Sequence, residues 1–141
     1  MILRPRVTLD TNVVFEGLTK QGGAAGLIIE AWLADLLDVR VSDALAYEYA
    51  DVLSRLLSES RWRSIGPVLG SLLEKSNFVT MHYSWRPASP DPADDHVINC
   101  AMNGGSIVVT SNRKDFRNAE RALGLRVITP VELVIRMASA S

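Results

Sequence analysis

The sequence contains one cysteine, Cys100, among 141 residues. A single cysteine cannot form an internal disulfide, and a Cys-x-x-Cys metal site needs two. We interpret Cys100 as a small buried hydrophobic side chain, because free cysteine is among the most buried residue types. A chain without disulfides is also consistent with a reducing compartment, so we expect a cytoplasmic location.

Long apolar runs and an excess of charge of one sign are also missing. No run approaches the roughly 20 residues of a membrane span, and the N-terminus lacks the apolar core of a signal peptide, so we expect no membrane contact. The 15 Lys and Arg residues nearly balance 16 Asp and Glu residues, which gives a net charge of -1. Any polyanionic partner must therefore be met by a local basic patch rather than by a global field.

What remains is the composition of a globular protein, with 48% hydrophobic and 22% charged residues. Segments of strand type alternate with segments of helix type, which predicts one α/β domain over residues 1–141 with a parallel sheet between helices. A loop with three prolines is expected over 84–92. We predict strands at 6–9, 39–41, 78–83, 106–110 and 126–128. Helices are expected at 24–37, after Ser42, at 58–78, 94–102 and 118–123, and at the capping box Thr129-Pro130-Val131-Glu132. The helical segment 58–78 is expected to break near Gly66-Pro67.

Four acidic residues lie at the ends or edges of these elements: Asp10, Glu48, Asp95 and Asp115. Asp10 and Asp115 follow strands, and ligands of open parallel sheets bind outside the carboxyl ends of the strands. Clustered carboxylates are the oxygen ligands that Mg²⁺ and Mn²⁺ take. Such sites carry out phosphoryl or phosphodiester chemistry.

Each acid also has an ordinary structural interpretation. Asp10 suits a helix cap or turn, and Glu48 suits the edge of an apolar helix face. Asp94 and Asp95 both begin a helix, where the helix dipole favours negative charge. We assign the cap to Asp94 and the ligand role to Asp95, which begins the buried side. Asp115 alone would be interpreted as a surface-loop residue.

Taken in order, these motifs resemble the PIN domain family of metal-dependent ribonucleases. The resemblance rests on Asp10-Thr11-Asn12, the helix-borne Glu48, Asp95-x-x-Ile98-x-x-Ala101 and Thr110-x-Asn112-x-x-Asp115-Phe116, and it spans residues 7–134. Asp91-Pro92-x-Asp94-Asp95 is similar to the branch of VapC-like toxins from toxin–antitoxin pairs.

The resemblance implies a three-layer α/β/α fold with a five-stranded parallel sheet, and a metal-dependent endoribonuclease that an antitoxin protein silences. Asp10, Glu48, Asp95 and Asp115 would be the catalytic acids that hold one or two Mg²⁺ or Mn²⁺ ions. Many relatives carry aspartate at the position of Asn112, whereas others have asparagine and keep a later acid, as Asp115 does here. A homodimer is expected too, because toxin members commonly dimerise and the segments 24–37 and 65–73 are rich in leucine.

Several residues around the acids are given supporting roles. Asn12, Thr110 and Asn112 are supporting residues. Thr110 and Asn112, with Ser111 between them, offer neutral polar groups to a metal-bound water or a phosphate, and on the sequence alone they could equally be turn residues. Arg113, Lys114 and Arg117 flank Asp115 and are candidate RNA contacts, although ordinary solvated charges explain them as well. Trp62 and Trp85 could stack on bases but are more often core residues. We do not expect His96 to act as a base, since neighbouring helix positions point about 100° apart and His96 follows Asp95 directly. We expect this role still less of His82.

Two other functions stay open. A catalytically impaired member of the same fold would bind RNA or a protein, and the asparagine at position 112 keeps this alternative in play. A doubly wound phosphotransfer domain, such as a receiver or a phosphatase, is less favoured. A receiver needs an acidic pair after its first strand, and Asp10 stands there alone.

Overall fold

Strands and helices alternate along the chain, as the sequence predicts. The computed structural model describes residues 4–85 and 92–139. The strands are β1 (Arg6–Leu9), β2 (Asp38–Val41), β3 (Asn77–Phe78), β4 (Ile107–Val109) and β5 (Val127–Ile128). The helices are α1 (Thr11–Thr19), α2 (Gly23–Leu33), α3 (Asp43–Leu56), α4 (Glu59–Glu74), α5 (Pro92–Gly104), α6 (Arg117–Leu123) and α7 (Pro130–Ser139), with a 3-10 turn at Arg113–Phe116. Most of the predicted loop at 84–92 lies outside the described residues.

The five strands form one parallel sheet in the order β3-β2-β1-β4-β5. In the central strand β1, the side chains of Val7, Thr8 and Leu9 are fully buried. Successive side chains of a strand point to opposite faces, so helices must cover both faces of the sheet. The predicted three-layer α/β/α architecture is confirmed. Cys100 of α5 is buried, as predicted, and burial raises the pKa of its thiol.

The pairing register places the residues that follow three neighbouring strands in one row. Val7 pairs with Val39 of β2, and Leu9 pairs with Val109 of β4. When the register is continued to the ends of the strands, Ser42 and Thr110 lie on either side of Asp10. The backbone N–H of Asp10 donates to the carbonyl of Val109 at 2.9 Å, which extends the ladder by one residue. This carboxyl edge is where an open parallel sheet binds ligands.

Two helix starts predicted from capping residues are confirmed by hydrogen bonds. The Ser42 hydroxyl caps α3 by accepting from the backbone N–H of Leu45 at 3.1 Å. The capping box of α7 is formed in both directions: the Thr129 N–H donates to Glu132 at 3.1 Å, and the Glu132 N–H donates to the Thr129 hydroxyl at 3.2 Å. In the part of the chain that the structure describes, no helix is both long and apolar enough to span a membrane.

The break predicted near Gly66-Pro67 is wrong, because α4 continues through Pro67. Proline removes one backbone donor from a helix and leaves the carbonyl four residues earlier without its partner. Both Arg63 and Pro67 are exposed, so water can hydrate the freed carbonyl of Arg63. The apolar side of α4 carries the buried Leu69 and Leu72 and compensates for the missing hydrogen bond.

Three further boundaries differ from the prediction. The sequence does not predict helix α1 at all. Helix α2 ends at Leu33 rather than at residue 37, since Asp35 adopts a left-handed conformation with φ of 62° and the Leu36 N–H returns to the Ala31 carbonyl. The strand expected over 78–83 is wrong for most of its length, because β3 covers only Asn77–Phe78 before the chain leaves the sheet.

Candidate active site

Asp10 stands at the centre of the carboxyl edge, directly after β1. Its side chain is 4% exposed, and its carboxylate accepts a hydrogen bond from the Thr110 hydroxyl at 2.7 Å. Burial raises the pKa of Asp10, and the negative charges of Glu48 and Asp115 raise it further against the lowering effect of the Thr110 bond. The structure thus brings three of the four predicted acids within electrostatic reach of one another.

Glu48 is held by two neighbouring contacts between α3 and the end of β1. The Thr11 hydroxyl, in the first turn of α1, donates to the Glu48 carboxylate. The adjacent Tyr49 is fully buried, and its hydroxyl donates to the Leu9 carbonyl, one residue before Asp10. The sequence does not indicate Thr11 or Tyr49 as site residues. Thr11 lies inside the Asp10-Thr11-Asn12 motif, whereas the pattern of α3 places Tyr49 only on its apolar stripe.

Asp115 reaches the site through the 3-10 turn that follows β4. Its backbone N–H donates to the Asn112 carbonyl at 3.1 Å, and the Asn112 N–H donates to the Thr110 hydroxyl at 3.0 Å. Asn112 itself is exposed, whereas Asp115 is half-buried. Thr110 therefore contacts both Asp10 and the turn that carries Asp115. Asn12 is exposed in the first turn of α1.

Asp94 and Asp95 occupy the first turn of α5, which packs against β1, β2 and β4. Each aspartate is 8% exposed, so burial does not distinguish them. The assignment of Asp95 as ligand and Asp94 as cap stays a prediction. Both acids nevertheless lie on a helix that adjoins the three central strands.

The chemistry of this group suits a hard divalent cation. A carboxylate that is buried beside two others is destabilised unless a cation compensates it, and the donors here are carboxylate and hydroxyl oxygens. Across residues 4–85 and 92–139, no three or more His, Cys, Asp or Glu side chains are gathered closely enough to enclose an ion. Mg²⁺ does not require such a cage, because it keeps several waters and uses one or two carboxylates with substrate phosphates. The residues therefore fit a Mg²⁺ site that is open to substrate.

The three basic residues predicted to contact RNA differ in their surroundings. Arg113 forms ion pairs with Glu120 at 3.8 Å and with Glu132 at 3.6 Å, and so joins the 3-10 turn to α6 and α7. Lys114 and Arg117 are exposed on the same turn and at the start of α6. The structure thus gives Arg113 a structural contact that the sequence did not indicate.

Comparison with known proteins agrees with this geometry. The model of the PIN domain matches residues 6–114, about three quarters of the chain. The chain belongs to the PIN domain family. The matched region contains Asp10, Glu48 and Asp95 and ends one residue before Asp115, so the place of Asp115 rests on the structure.

Solved structures show the same PIN fold at low sequence identity. A chain of VapBC2 from Rickettsia felis, in a complex bound to a DNA fragment from its promoter, is 14% identical, with a TM-score of 0.63 over 88% of this chain and 98% of that one. FitAcB from Neisseria gonorrhoeae is 18% identical, with a TM-score of 0.60 over 88% and 97%. PAE2754 from Pyrobaculum aerophilum is 14% identical, with a TM-score of 0.62 over 96% and 90%. Among proteins of curated function, none matches the sequence.

Proposed function

We propose that this PIN domain is a Mg²⁺- or Mn²⁺-dependent endoribonuclease and the toxin of a toxin–antitoxin pair. Domains of the family are nucleases, which hydrolyse phosphodiester bonds of nucleic acids. The observation that carries the proposal is the buried Asp10 carboxylate, whose pKa is raised by burial and by the charges of Glu48 and Asp115. Burying this carboxylate beside other acids costs free energy, which a bound cation would offset. The cation could in turn bind a phosphate.

The side chains of the site would have distinct tasks. Asp10, Glu48, Asp95 and Asp115 would hold the cation and its waters, while Thr110 and Thr11 orient Asp10 and Glu48 through their hydroxyls. When bound, the ion would make a water more acidic and offset charge on the phosphate. Lys114 and Arg117 would contact the RNA backbone beside Asp115. Among the described residues, no histidine forms a side-chain hydrogen bond with Asp10 or Glu48.

The toxin assignment draws on the solved relatives. VapBC2 is bound to a fragment of its own promoter, and FitAcB and VapBC2 share this fold. By analogy, we infer an antitoxin protein as partner and a cytoplasmic location for this chain. Induced expression should slow bacterial growth, and Asp10→Asn should relieve that effect.

A cleavage assay tests the activity directly. The purified protein is incubated with a single-stranded RNA and with a DNA of the same sequence, in Mg²⁺, Mn²⁺ or EDTA. We expect cleavage of the RNA only with metal, and a loss of about 100-fold or more in Asp10→Asn, on the scale of removing a group that stabilises transition-state charge. Asp51→Asn is the matched control, because Asp51 is an aspartate that pairs with Arg55 on the outside of α3. Cleavage that survives Asp10→Asn, or proceeds in EDTA, would refute the proposal.

A further inference from the structure

The chain contains two histidines, His82 and His96, and both line the same cavity of about 320 Å³. The cavity lies between the residues after β3, the start of α3 and the first half of α5. Its volume lies at the lower end of the range of about 300–1,000 Å³ that small-ligand pockets span. Its polar and aromatic lining comes from Ser42, His82, Tyr83, Ser84, His96 and Asn99.

This cavity adjoins the acidic site along the carboxyl edge of the sheet. Ser42 follows β2 in the position next to Asp10, because β1 and β2 are parallel neighbours with Val7 opposite Val39. Adjacent strands lie about 4.8 Å apart, so Ser42 is a near neighbour of Asp10. His96 directly follows Asp95 in α5. A ligand in the cavity would therefore lie beside a phosphate held at the acids.

The outer wall of the cavity is an extended segment, residues 81–85, that is fixed through its backbone. The Asn103 side-chain oxygen accepts from the N–H groups of His82 at 2.9 Å and Tyr83 at 3.2 Å, and its amide donates to the Tyr83 carbonyl at 2.8 Å. The Asn99 oxygen accepts from the Trp85 N–H at 2.7 Å. These bonds to residues 82 and 83 and to Trp85 use main-chain atoms. Tyr83 is 72% exposed, and its ring centroid lies 6.0 Å from that of Trp85.

The lining identifies the kind of ligand. It combines two imidazoles, a phenol ring, hydroxyls and an amide, and no Lys, Arg, Asp or Glu side chain of the described residues lines it. Lys and Arg, the usual partners of a phosphate, are missing from this described lining, whereas a nucleobase is flat, uncharged and rich in hydrogen-bonding edges. Proteins bind unpaired bases by stacking them on Tyr, Trp and His rings and by bonding their edges.

We propose that this cavity binds an unpaired nucleobase of the RNA substrate, next to the phosphate that is cleaved. The inference rests on the proposed ribonuclease function and adds to it a contact with the base beside the cleaved phosphate. It assigns His82, Tyr83 and His96 to substrate binding rather than to proton transfer.

The two histidines make the cavity observable by NMR, because they are the only histidines of the sequence and both line it. Asp10→Asn protein in EDTA, which should not cleave, is titrated with a short single-stranded oligoribonucleotide. A matched oligomer of abasic ribose phosphates serves as control for the backbone charge. We expect the RNA to shift the ring signals of His82 and His96 and the abasic oligomer to leave them nearly unchanged. Unmoved signals with RNA, or equal shifts with both oligomers, would overturn the proposal.

A pair of tyrosine variants tests whether the Tyr83 ring stacks on a base. Tyr83 is 72% exposed and Tyr47, on α3 and outside the cavity lining, is 76% exposed, so replacing either by alanine should leave the fold intact. We expect Tyr83→Ala to weaken oligoribonucleotide binding about five-fold or more, the lower end for loss of one base stack. Tyr47→Ala should bind as the parent protein does. Equal affinities of the two variants would count against the cavity.

The two proposals can fail separately. If Asp10→Asn abolishes metal-dependent cleavage but RNA does not shift the histidine signals, the ribonuclease proposal is supported and the base-binding proposal is refuted. If RNA shifts the histidine signals but the wild type shows no cleavage, base binding in the cavity is supported and the ribonuclease proposal is refuted.

Discussion

The Thr110 hydroxyl donates a hydrogen bond to the buried Asp10 carboxylate across 2.7 Å, and the same oxygen accepts from the Asn112 N–H at 3.0 Å. One side chain thus fixes the orientation of the central acid and the start of the turn that carries Asp115. Hydrogen-bond partners of this kind hold metal-ligating carboxylates in place, and their loss commonly lowers metal affinity about 10–100-fold.

We therefore expect Thr110→Val to weaken Mn²⁺ binding about 10–100-fold, as measured by calorimetry. Thr110→Ser keeps the hydroxyl and should bind Mn²⁺ nearly as the wild type does. A thermal melt of each variant separates loss of the site from loss of the fold. Wild-type Mn²⁺ affinity in a folded Thr110→Val protein would show that this bond does not orient Asp10 for a metal.

The raised pKa of Asp10 predicts how stability depends on pH without metal. The native carboxyl holds its proton more tightly than the unfolded one, so stability falls as pH rises from the ordinary value of 3.8 through the raised native pKa. Above the raised native pKa, the free energy that Asp10 costs the folded state no longer changes with pH. In EDTA near neutral pH, Asp10→Asn should melt at a higher temperature than the wild type, and the difference should shrink in acid.

Divalent metal should reverse this order. We expect Mg²⁺ to bind the native state and to raise the melting temperature of the wild type, but hardly to affect that of Asp10→Asn. Melting curves with Mg²⁺ and with EDTA test both halves. A wild type that is more stable than Asp10→Asn in EDTA would contradict the expected burial cost.

The sequence predicted the sheet and the approach of three candidate acids to one another, because those signals are local. The continuous apolar run Ile107-Val108-Val109 indicates a strand buried on both faces, and Asp10 follows such a strand directly. Glu48 lies at the edge of a regular apolar stripe. Once the strands are parallel, the acids after β1 and β4 must meet at one edge.

Helix α1 could not be predicted because its main contact is tertiary. Glycine and valine are poor helix formers, and residues 13–17 contain Val13, Val14 and Gly17. A Cβ atom at Gly17 would lie 2.4 Å from Ile29 Cγ1 and 2.7 Å from the Ala25 carbonyl oxygen. Glycine is therefore required for α1 to pack against α2, and a sequence does not show this close approach.

The contact between Thr11 and Glu48 was hidden for the same reason. It needs the position of α1 relative to α3, which depends on how both helices pack at the end of β1. The prediction that Pro67 breaks α4 failed differently, because the cost of an internal proline is smaller where the freed carbonyl faces water.

The ion pairs of Arg113 predict that the three basic residues contribute unequally to RNA binding. Lys114→Ala or Arg117→Ala should reduce the slope of log affinity against log salt by about 0.7 for each phosphate that the variant no longer neutralises. Arg113→Ala should change this slope less and cost stability instead. Its two partners are carboxylates near the surface, so the loss of stability should be small. Equal salt slopes for all three variants would contradict the distinction.

The outer surface of α2 and α7 predicts self-association. The two helices pack together and expose Leu27 at 49%, and Val131 and Ile135 at 58% each. Val131 and Ile135 lie four residues apart and so form one apolar stripe on α7. The leucines of α4 contribute less than the sequence suggested, because Leu69 and Leu72 are buried in the core.

We expect a homodimer in solution, with about twice the 15.5 kDa mass of the chain by light scattering at micromolar concentration. Ile135→Glu should yield the monomer, because a buried carboxylate at a dimer interface would lose its hydration. Leu56→Glu is the control, since Leu56 is 62% exposed on α3. A monomeric wild type would refute the dimer, and a dimer that survives Ile135→Glu would place the interface on another face.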